Sequence, residues 1–366
     1  MGGASRKTPL RRGESDRRGQ EGDGGGREVI TSAILCVALL TAWGCFALWF
    51  QAPGGRLPRG LGTILRGLAV SLWGLFGVVI VVALTQGVVA LSLAGFGLVF
   101  AALLLWWWQI LPSNDREWAD DVARMTTGVI ASDRVTLRNV RHFDWRTRTD
   151  YTQRWETRVY DLRRLNSLDM ILSYWSMPAI AHVLISFGFE DGEQVVFSVE
   201  IRREKTESFS EIGGFFKEFE LSIIACDERD VIRVRTNVRG EDDYLYRIRM
   251  PVADMRSLFL SYVEAANELV RSPRFYNTVT ANCTTIIYQM TKRIVGHLPL
   301  DYRLLLSGYL PAYVYKIGGL DARYSLEELR ARGRITERAK ESDRRDTFSA
   351  DIRRGVPPVE PPGEAV

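Results

Sequence analysis

The chain has 366 residues, 46% of them apolar and 25% charged, with a formal net charge of +4. Four cysteines and three histidines exclude a disulfide scaffold and a zinc centre, because no pair has ligand spacing. The averages would fit two ordinary soluble domains, but the apolar residues are segregated near the N-terminus.

The first 28 residues are rich in Gly and Arg and too poor in apolar side chains to fold, so residues 1–28 read as a disordered basic tail. Val29 to Phe50 carries no charge, and neither does Gly67 to Leu111. About 20 apolar residues cross a bilayer as a helix, so the first run is one span. The second run divides at Thr85-Gln86-Gly87 into two, which makes residues 29–111 a three-helix anchor. Trp106, Trp107 and Trp108 close the third span, where interfacial aromatics gather. Arg6, Lys7, Arg11, Arg12, Arg17, Arg18 and Arg27 place the tail in the cytoplasm by the positive-inside rule. Arg56, Arg59 and Arg66 oppose that orientation, with a smaller excess. Three spans then carry the C-terminal domain into the periplasm, and the expected location is the inner (cytoplasmic) membrane, multi-pass. The segment does not fit a cleavable signal peptide.

Residues 113–124 are expected to form a short juxtamembrane helix, and 128–165 contain extended pieces amid many arginines. His182 to Phe189 and Gln194 to Arg203 are β-rich runs joined by Glu190-Asp191-Gly192-Glu193, a strong hairpin signal. Phe215 to Cys226, Val231 to Val238 and Tyr244 to Met250 extend this into an expected antiparallel meander. Helical periodicity follows. Met255, Leu258, Tyr262, Ala266 and Leu269 share one face after Pro251, and Cys283, Ile286, Ile287, Met290 and Ile294 share another. Two more helices are expected over 300–317 and 325–340. Residues 346–366 read as a disordered Pro-rich tail. Residues 112–345 are therefore an α+β domain.

Cys283 occupies the first turn of its helix, where free amides and the helix dipole favour a thiolate. Asn282 or Thr280 is placed to cap that helix. Of the histidines, His182 sits between apolar residues at a strand start and is the best proton partner. Cys226 stands next to Asp227 and Glu228, which oppose a thiolate. A bridge between Cys226 and Cys283 is open to these two thiols in an oxidising compartment. On spacing alone, a buried cysteine beside a structural histidine is the commoner arrangement.

Three segments sharpen this. His182-Val-Leu-Ile-Ser-Phe187, Ser198-Val-Glu-Ile-Arg-Arg203 and Phe275-Tyr-Asn-Thr-Val-Thr-Ala-Asn-Cys-Thr-Thr285 resemble, in order and wording, the N-terminal periplasmic domain of the bacterial lipoprotein N-acyltransferase Lnb. The resemblance covers about residues 120–330. The His-before-Cys order and the Asn-Cys helix start are also similar to circularly permuted papain-like enzymes, the wider group that includes lecithin-retinol acyltransferase. The resemblance implies a cysteine nucleophile and histidine base, falling on Cys283 and His182. Glu200 is placed to orient the imidazole if hairpin register puts both on one face, or else to accept from Arg202 or Arg203. Tyr276 and Asn282 are placed to line the nucleophile. Arg202 and Arg203 read as a solvated strand face, with an anionic headgroup as the alternative. Asp227, Glu228 and Asp230 read as a solvated acidic turn.

The function implied is thioester-mediated acyl transfer or hydrolysis at a membrane, with lipid, lipoprotein or peptidoglycan as candidate substrate. It calls for no cofactor and no nucleic acid. A cell-wall amidopeptidase and a non-catalytic membrane-tethered binding or scaffold module are the alternatives. An acyl site should offer a long apolar groove, and an amidopeptidase an open polar one.

Overall fold

The structure, a computed structural model, describes residues 21–52 and 59–359. The expected disordered tail lies, for residues 1–20, outside the described residues, as does Arg56. Two units are distinct, residues 1–111 and 112–366.

The first unit is α1 (Glu21–Gln51), α2 (Arg59–Thr85) and α3 (Val89–Gln109). Residues 21–28, assigned above to the tail, are thus the first turns of α1. Each helix contains a stretch long and apolar enough to cross a membrane: Gly26–Gln51, Gly60–Thr85 and Val89–Gln109. The break after α2 falls at the expected Thr85-Gln86-Gly87, where Gly87 has φ 83°, a left-handed conformation that glycine adopts freely. Leu72, Leu75, Leu91 and Leu98 point outward, as lipid-facing side chains do. At Gly44 an added Cβ would lie 2.3 Å from the Trp73 ring, so only glycine permits that approach. Trp73 Nε1 donates to the Thr41 carbonyl at 2.8 Å.

The second unit is α+β. Its strands are β1 (Thr127–Ala131), β2 (Arg134–Arg141), β3 (Asp144–Trp145), β4 (Tyr151–Thr152), β5 (Trp155–Asp161), β6 (Leu165–Tyr174), β7 (His182–Phe189), β8 (Gln194–Arg202) and β9 (Glu220–Cys226). After β9 come α4 (Glu228–Arg233), a π-helical continuation (Val234–Arg239), β10 (Asp242–Arg247) and α5 (Val252–Arg271). The helices α6 (Cys283–Val295), α7 (Leu310–Lys316), α8 (Leu326–Gly333), α9 (Thr336–Glu341) and α10 (Phe348–Ile352) complete it. The main sheet runs β1-β2-β9-β8-β7-β6-β10, with β5 also on β2, and β3 pairs separately with β4.

The predicted hairpin is β7–β8, turning at Gly192 with φ 85°. Val231 to Val238 is not a strand. It is α4 and the π-helix, because Val231, Ile232 and Val234 are buried from a helix. The expected meander is corrected with it, since β10 pairs with β6 at the far edge. Residues 113–124 contain only a 3₁₀ turn at Asp120–Val122. Residues 346–359 are not a disordered tail. Phe348 and Ile352 on α10 are fully buried, and only 360–366 fall outside the described residues.

Strand alternation divides the sheet into two faces. Val183, Ile185 and Phe187 of β7, with Val195 and Phe197 of β8, pack with Phe259 and Tyr262 of α5. His182, Leu184 and Ser186 alternate with them onto the other face. There Leu184, Val196 and Ile224 meet Val231 and Ile232 of α4, Ala339 of α9 and Phe348 of α10.

Candidate active site

Three local features bring the chemistry together. Asn282 caps α6 in a capping box: its Oδ1 accepts from the amides of Thr284 at 2.9 Å and Thr285 at 2.8 Å, and the Thr285 hydroxyl returns to the Asn282 amide. Asn282 Nδ2 donates to the Thr278 carbonyl at 2.7 Å. Asn282 is therefore a cap, and it fixes Cys283 as the first helical residue. The β7–β8 register pairs Leu184 with Ser198, which puts His182, Ser198 and Glu200 on one face. The π-helix supplies Arg235 to that face.

His182 Nε2 lies 2.7 Å from Ser198 Oγ and 3.1 Å from Glu200 Oε1. That commits Nε2 and leaves Nδ1 for the Cys283 thiol, whose acidity the ring and its charge raise. Cys283 also has the Val183 amide and the Thr284 hydroxyl beside its sulfur. Glu200 accepts from Ser198 at 2.6 Å and from Arg235 Nη2 at 3.3 Å.

The electrostatics favour a thiolate–imidazolium pair. Burial opposes the charge on His182, but the Glu200 carboxylate outweighs it and raises the ring to about 9. Burial likewise opposes the Cys283 thiolate. The His182 hydrogen bond and charge, then the Val183 amide, overcome it, and the thiol is held below its ordinary range. Glu200, despite burial, is kept ionised by His182 and Arg235. Burial instead pushes Cys226 strongly up. All four cysteines are free, so Cys226 and Cys283 form no bridge.

This constellation opens on a cavity of about 590 Å³ lined by His182, Glu200, Arg235, Tyr276, Asn282 and Cys283. Trp175, Phe209 and Leu305 form an apolar part of the wall, and Arg203, Glu207, Glu211 and Arg239 a charged part. Tyr276 is on the wall as expected, its hydroxyl pushed well above the ordinary tyrosine range by burial and the neighbouring Cys283. All five residues singled out from the sequence thus meet in one place.

Residues 151–308 match the family model of the Lnb N-terminal periplasmic domain. The Lnb resemblance read from the sequence is thereby shown, over a shorter span than 120–330. The Lnb match contains Cys283, His182 and Glu200, and ends before α7 to α10. With the three apolar helices it describes a membrane-anchored protein with a periplasmic domain. No curated protein and no solved structure matches the chain.

Other residues fall elsewhere. His142 Nδ1 lies 2.9 Å from Glu156, away from the cavity. Arg202 is not a solvated strand residue: it is buried, donating to the Val122 and Ala123 carbonyls and Asn114 Oδ1, with Trp118 across its guanidinium. Glu200 serves neither Arg202 nor Arg203; the latter pairs with Asp121 at 3.2 Å. The acidic turn is also buried. Asp230 takes Arg141 in a fork at 2.9 and 3.1 Å, and Glu228 takes Arg353 and Ser186. Ser198 and Arg235 were missed. Ser198 was legible as the residue two before Glu200 on one strand, whereas Arg235 was hidden in a run read as β.

Proposed function

We propose that the domain is a cysteine acyltransferase or hydrolase acting through a Cys283 thioester, in the manner of a permuted papain-like enzyme. The observation that carries this reading is the meeting of Cys283 and His182 on the wall of one open cavity, with the His182 ring held by Ser198 and Glu200. In the first half, His182 Nδ1 holds the thiol proton, and the thiolate attacks a carbonyl carbon. The S–C bond forms as the carbonyl electrons move to oxygen. The amides of Thr284 and Thr285 are already taken by Asn282, so the helix-start donor left for that oxyanion is the Cys283 amide. Collapse expels an alcohol or amine, which leaves with the His182 proton. In the second half an amine or water attacks the thioester, gives its proton to His182, and releases the thiolate.

The apolar wall of Trp175, Phe209 and Leu305 supports a lipid or lipoprotein donor, and membrane anchoring keeps the domain beside one. A second reading, a cell-wall amidopeptidase, draws on the charged wall of Arg203, Glu207, Glu211 and Arg239. A pure scaffold would need no thiol held below its ordinary range. Mass spectrometry of the purified protein is expected to find an acyl adduct on Cys283 that Cys283→Ser abolishes as a thioester. A peptide-derived adduct would favour the amidopeptidase, and no adduct with any ester, amide or peptide donor would favour the scaffold. The proposed topology, N-terminus in the cytoplasm of a multi-pass inner-membrane protein, predicts that a C-terminal reporter is active only in the periplasm; cytoplasmic activity would overturn it.

A further inference from the structure

From His182 the hydrogen bonds continue along the cavity wall through residues whose part in the proposed chemistry is still unassigned. Ser198 has no exposed surface, and its Oγ lies 2.7 Å from His182 Nε2 and 2.6 Å from Glu200 Oε1. A hydroxyl has one proton and a carboxylate can only accept, so Ser198 donates to Glu200 and accepts from the His182 Nε2–H. This fixes the tautomer. The proton sits on Nε2, and Nδ1 turns to the thiol as a base.

Glu200 is held in turn by Arg235, which is buried and whose guanidinium spans two carboxylates: Nη2 reaches Glu200 at 3.3 Å and Nη1 reaches Glu241 at 3.1 Å. Glu241 is itself anchored, since Ser173 Oγ lies 2.5 Å from its Oε2 and 2.5 Å from Asp243 Oδ1. The π-helix that presents Arg235 is a rare conformation that recurs at functional sites. A planar fork can hold two carboxylates at fixed spacing; the point charge of lysine cannot.

We infer that Ser198 and Arg235 are the positioning residues of this site: Ser198 locks the His182 ring, and Arg235 clamps Glu200 against it from Glu241. The inference rests on the Cys283–His182 reading. Its consequence is that loosening either residue makes Cys283 a weaker acid while leaving the thiol in place. Ser198→Ala keeps the 3.1 Å contact between His182 Nε2 and Glu200, so its effect is partial. Arg235→Lys keeps the positive charge and removes the fork, which separates positioning from net charge.

The test is the rate at which iodoacetamide alkylates Cys283 as a function of pH. It uses the full chain in detergent micelles and counts the Cys283 peptide by mass spectrometry, with thermal unfolding followed on the same preparations. Ser198→Ala and Arg235→Lys are each expected to move the midpoint up by about half to one pH unit, within the range that a neighbouring charge or hydrogen bond shifts a thiol. Ser198→Thr, which keeps the hydroxyl, should stay at the midpoint of the unaltered protein. Variants that unfold at lower temperature but alkylate with an unchanged midpoint would make both residues merely structural and overturn the inference. If Ser198→Ala does not fold, Arg235→Lys decides in the same way. An ordinary thiol midpoint of about 8.5 in the unaltered protein would instead sink the Cys283–His182 reading, and this inference with it.

Discussion

The two faces of the central sheet are built from alternate residues of the same strands, yet they obey different physics. Toward α5 and α6 the face is apolar: Val183, Ile185, Phe187, Phe197 and Val199 meet Phe259 and Tyr262, with Phe259 at 5.1 Å from Phe187 and 5.4 Å from Phe197. Toward α4, the π-helix and α10 the same strands present Asp169, Ser173, Ser186, Ser198 and Glu200. Arg353 holds Asp169, Glu228 takes Ser186 and Arg235 holds Glu200, while Ser198 joins Glu200 to His182 and Ser173 meets Glu241. Burying a charge is costly unless it is paired and hydrogen-bonded, so the second face needs all its partners at once. The lesson is one of division: one face is packing alone, and the other sets, around its own apolar cluster, the charged groups that place His182 beside Cys283.

The strongest challenge to that division is chemical. With an acyl donor that labels Cys283, His182→Ala should lower turnover per folded molecule by about 10²–10⁴-fold, the usual contribution of positioned proton transfer. Residues acting as one unit are non-additive, so His182→Ala with Cys283→Ala should be hardly worse than Cys283→Ala alone. Normal turnover in His182→Ala would remove the catalytic meaning of the polar face.

The next effect is on stability, and it should be large on both faces. Phe259→Ala should cost ~3–5 kcal/mol through lost burial and a residual cavity. Arg353→Met should cost a comparable ~3–5 kcal/mol, because it leaves Glu228 and Asp169 buried without their shared cation. Chemical denaturation checks both, and a cost for Arg353→Met under about 1 kcal/mol would mean that the polar face contributes little to folding. The smallest effect is expected at the exposed pair of Arg146 and Asp150, where solvent screens the charges and Arg146→Ala should leave the denaturation midpoint essentially unmoved.

The same division explains what could be read from the sequence. The apolar face announces itself by period: α5 was marked by Met255, Leu258, Tyr262, Ala266 and Leu269, and all five are buried. The hairpin was legible because Asp191-Gly192 demands a tight turn. The polar face was opaque because its partners are distant in sequence. Arg353 meets Asp169 and Glu228 across the fold, and nothing near Asp230 announces Arg141. Hence Asp227, Glu228 and Asp230 read as solvated, and the segment carrying α10 read as disordered. Val231 to Val238 misled for another reason: β-branched residues suggested a strand, while burial against Leu184 and Ile224 favoured a helix. Cys283 and His182 were recoverable because helix-start chemistry and family wording agreed. Their relay through Ser198 needed the register.

The measurement closest to the central claim is the pH dependence of Cys283 alkylation in the unaltered protein and in His182→Ala. His182 holds its proton up to about 9 and Cys283 loses its own below the ordinary thiol range, so the ion pair exists between those limits. Alkylation should therefore rise with a midpoint below about 8.5 and stay high past pH 9, where turnover falls as His182 loses the proton owed to the leaving group. In His182→Ala, burial is opposed only by the Val183 amide and the Thr284 hydroxyl, and the midpoint should move above about 8.5. A midpoint at or above that value in the unaltered protein, or one unmoved by His182→Ala, would contradict the account.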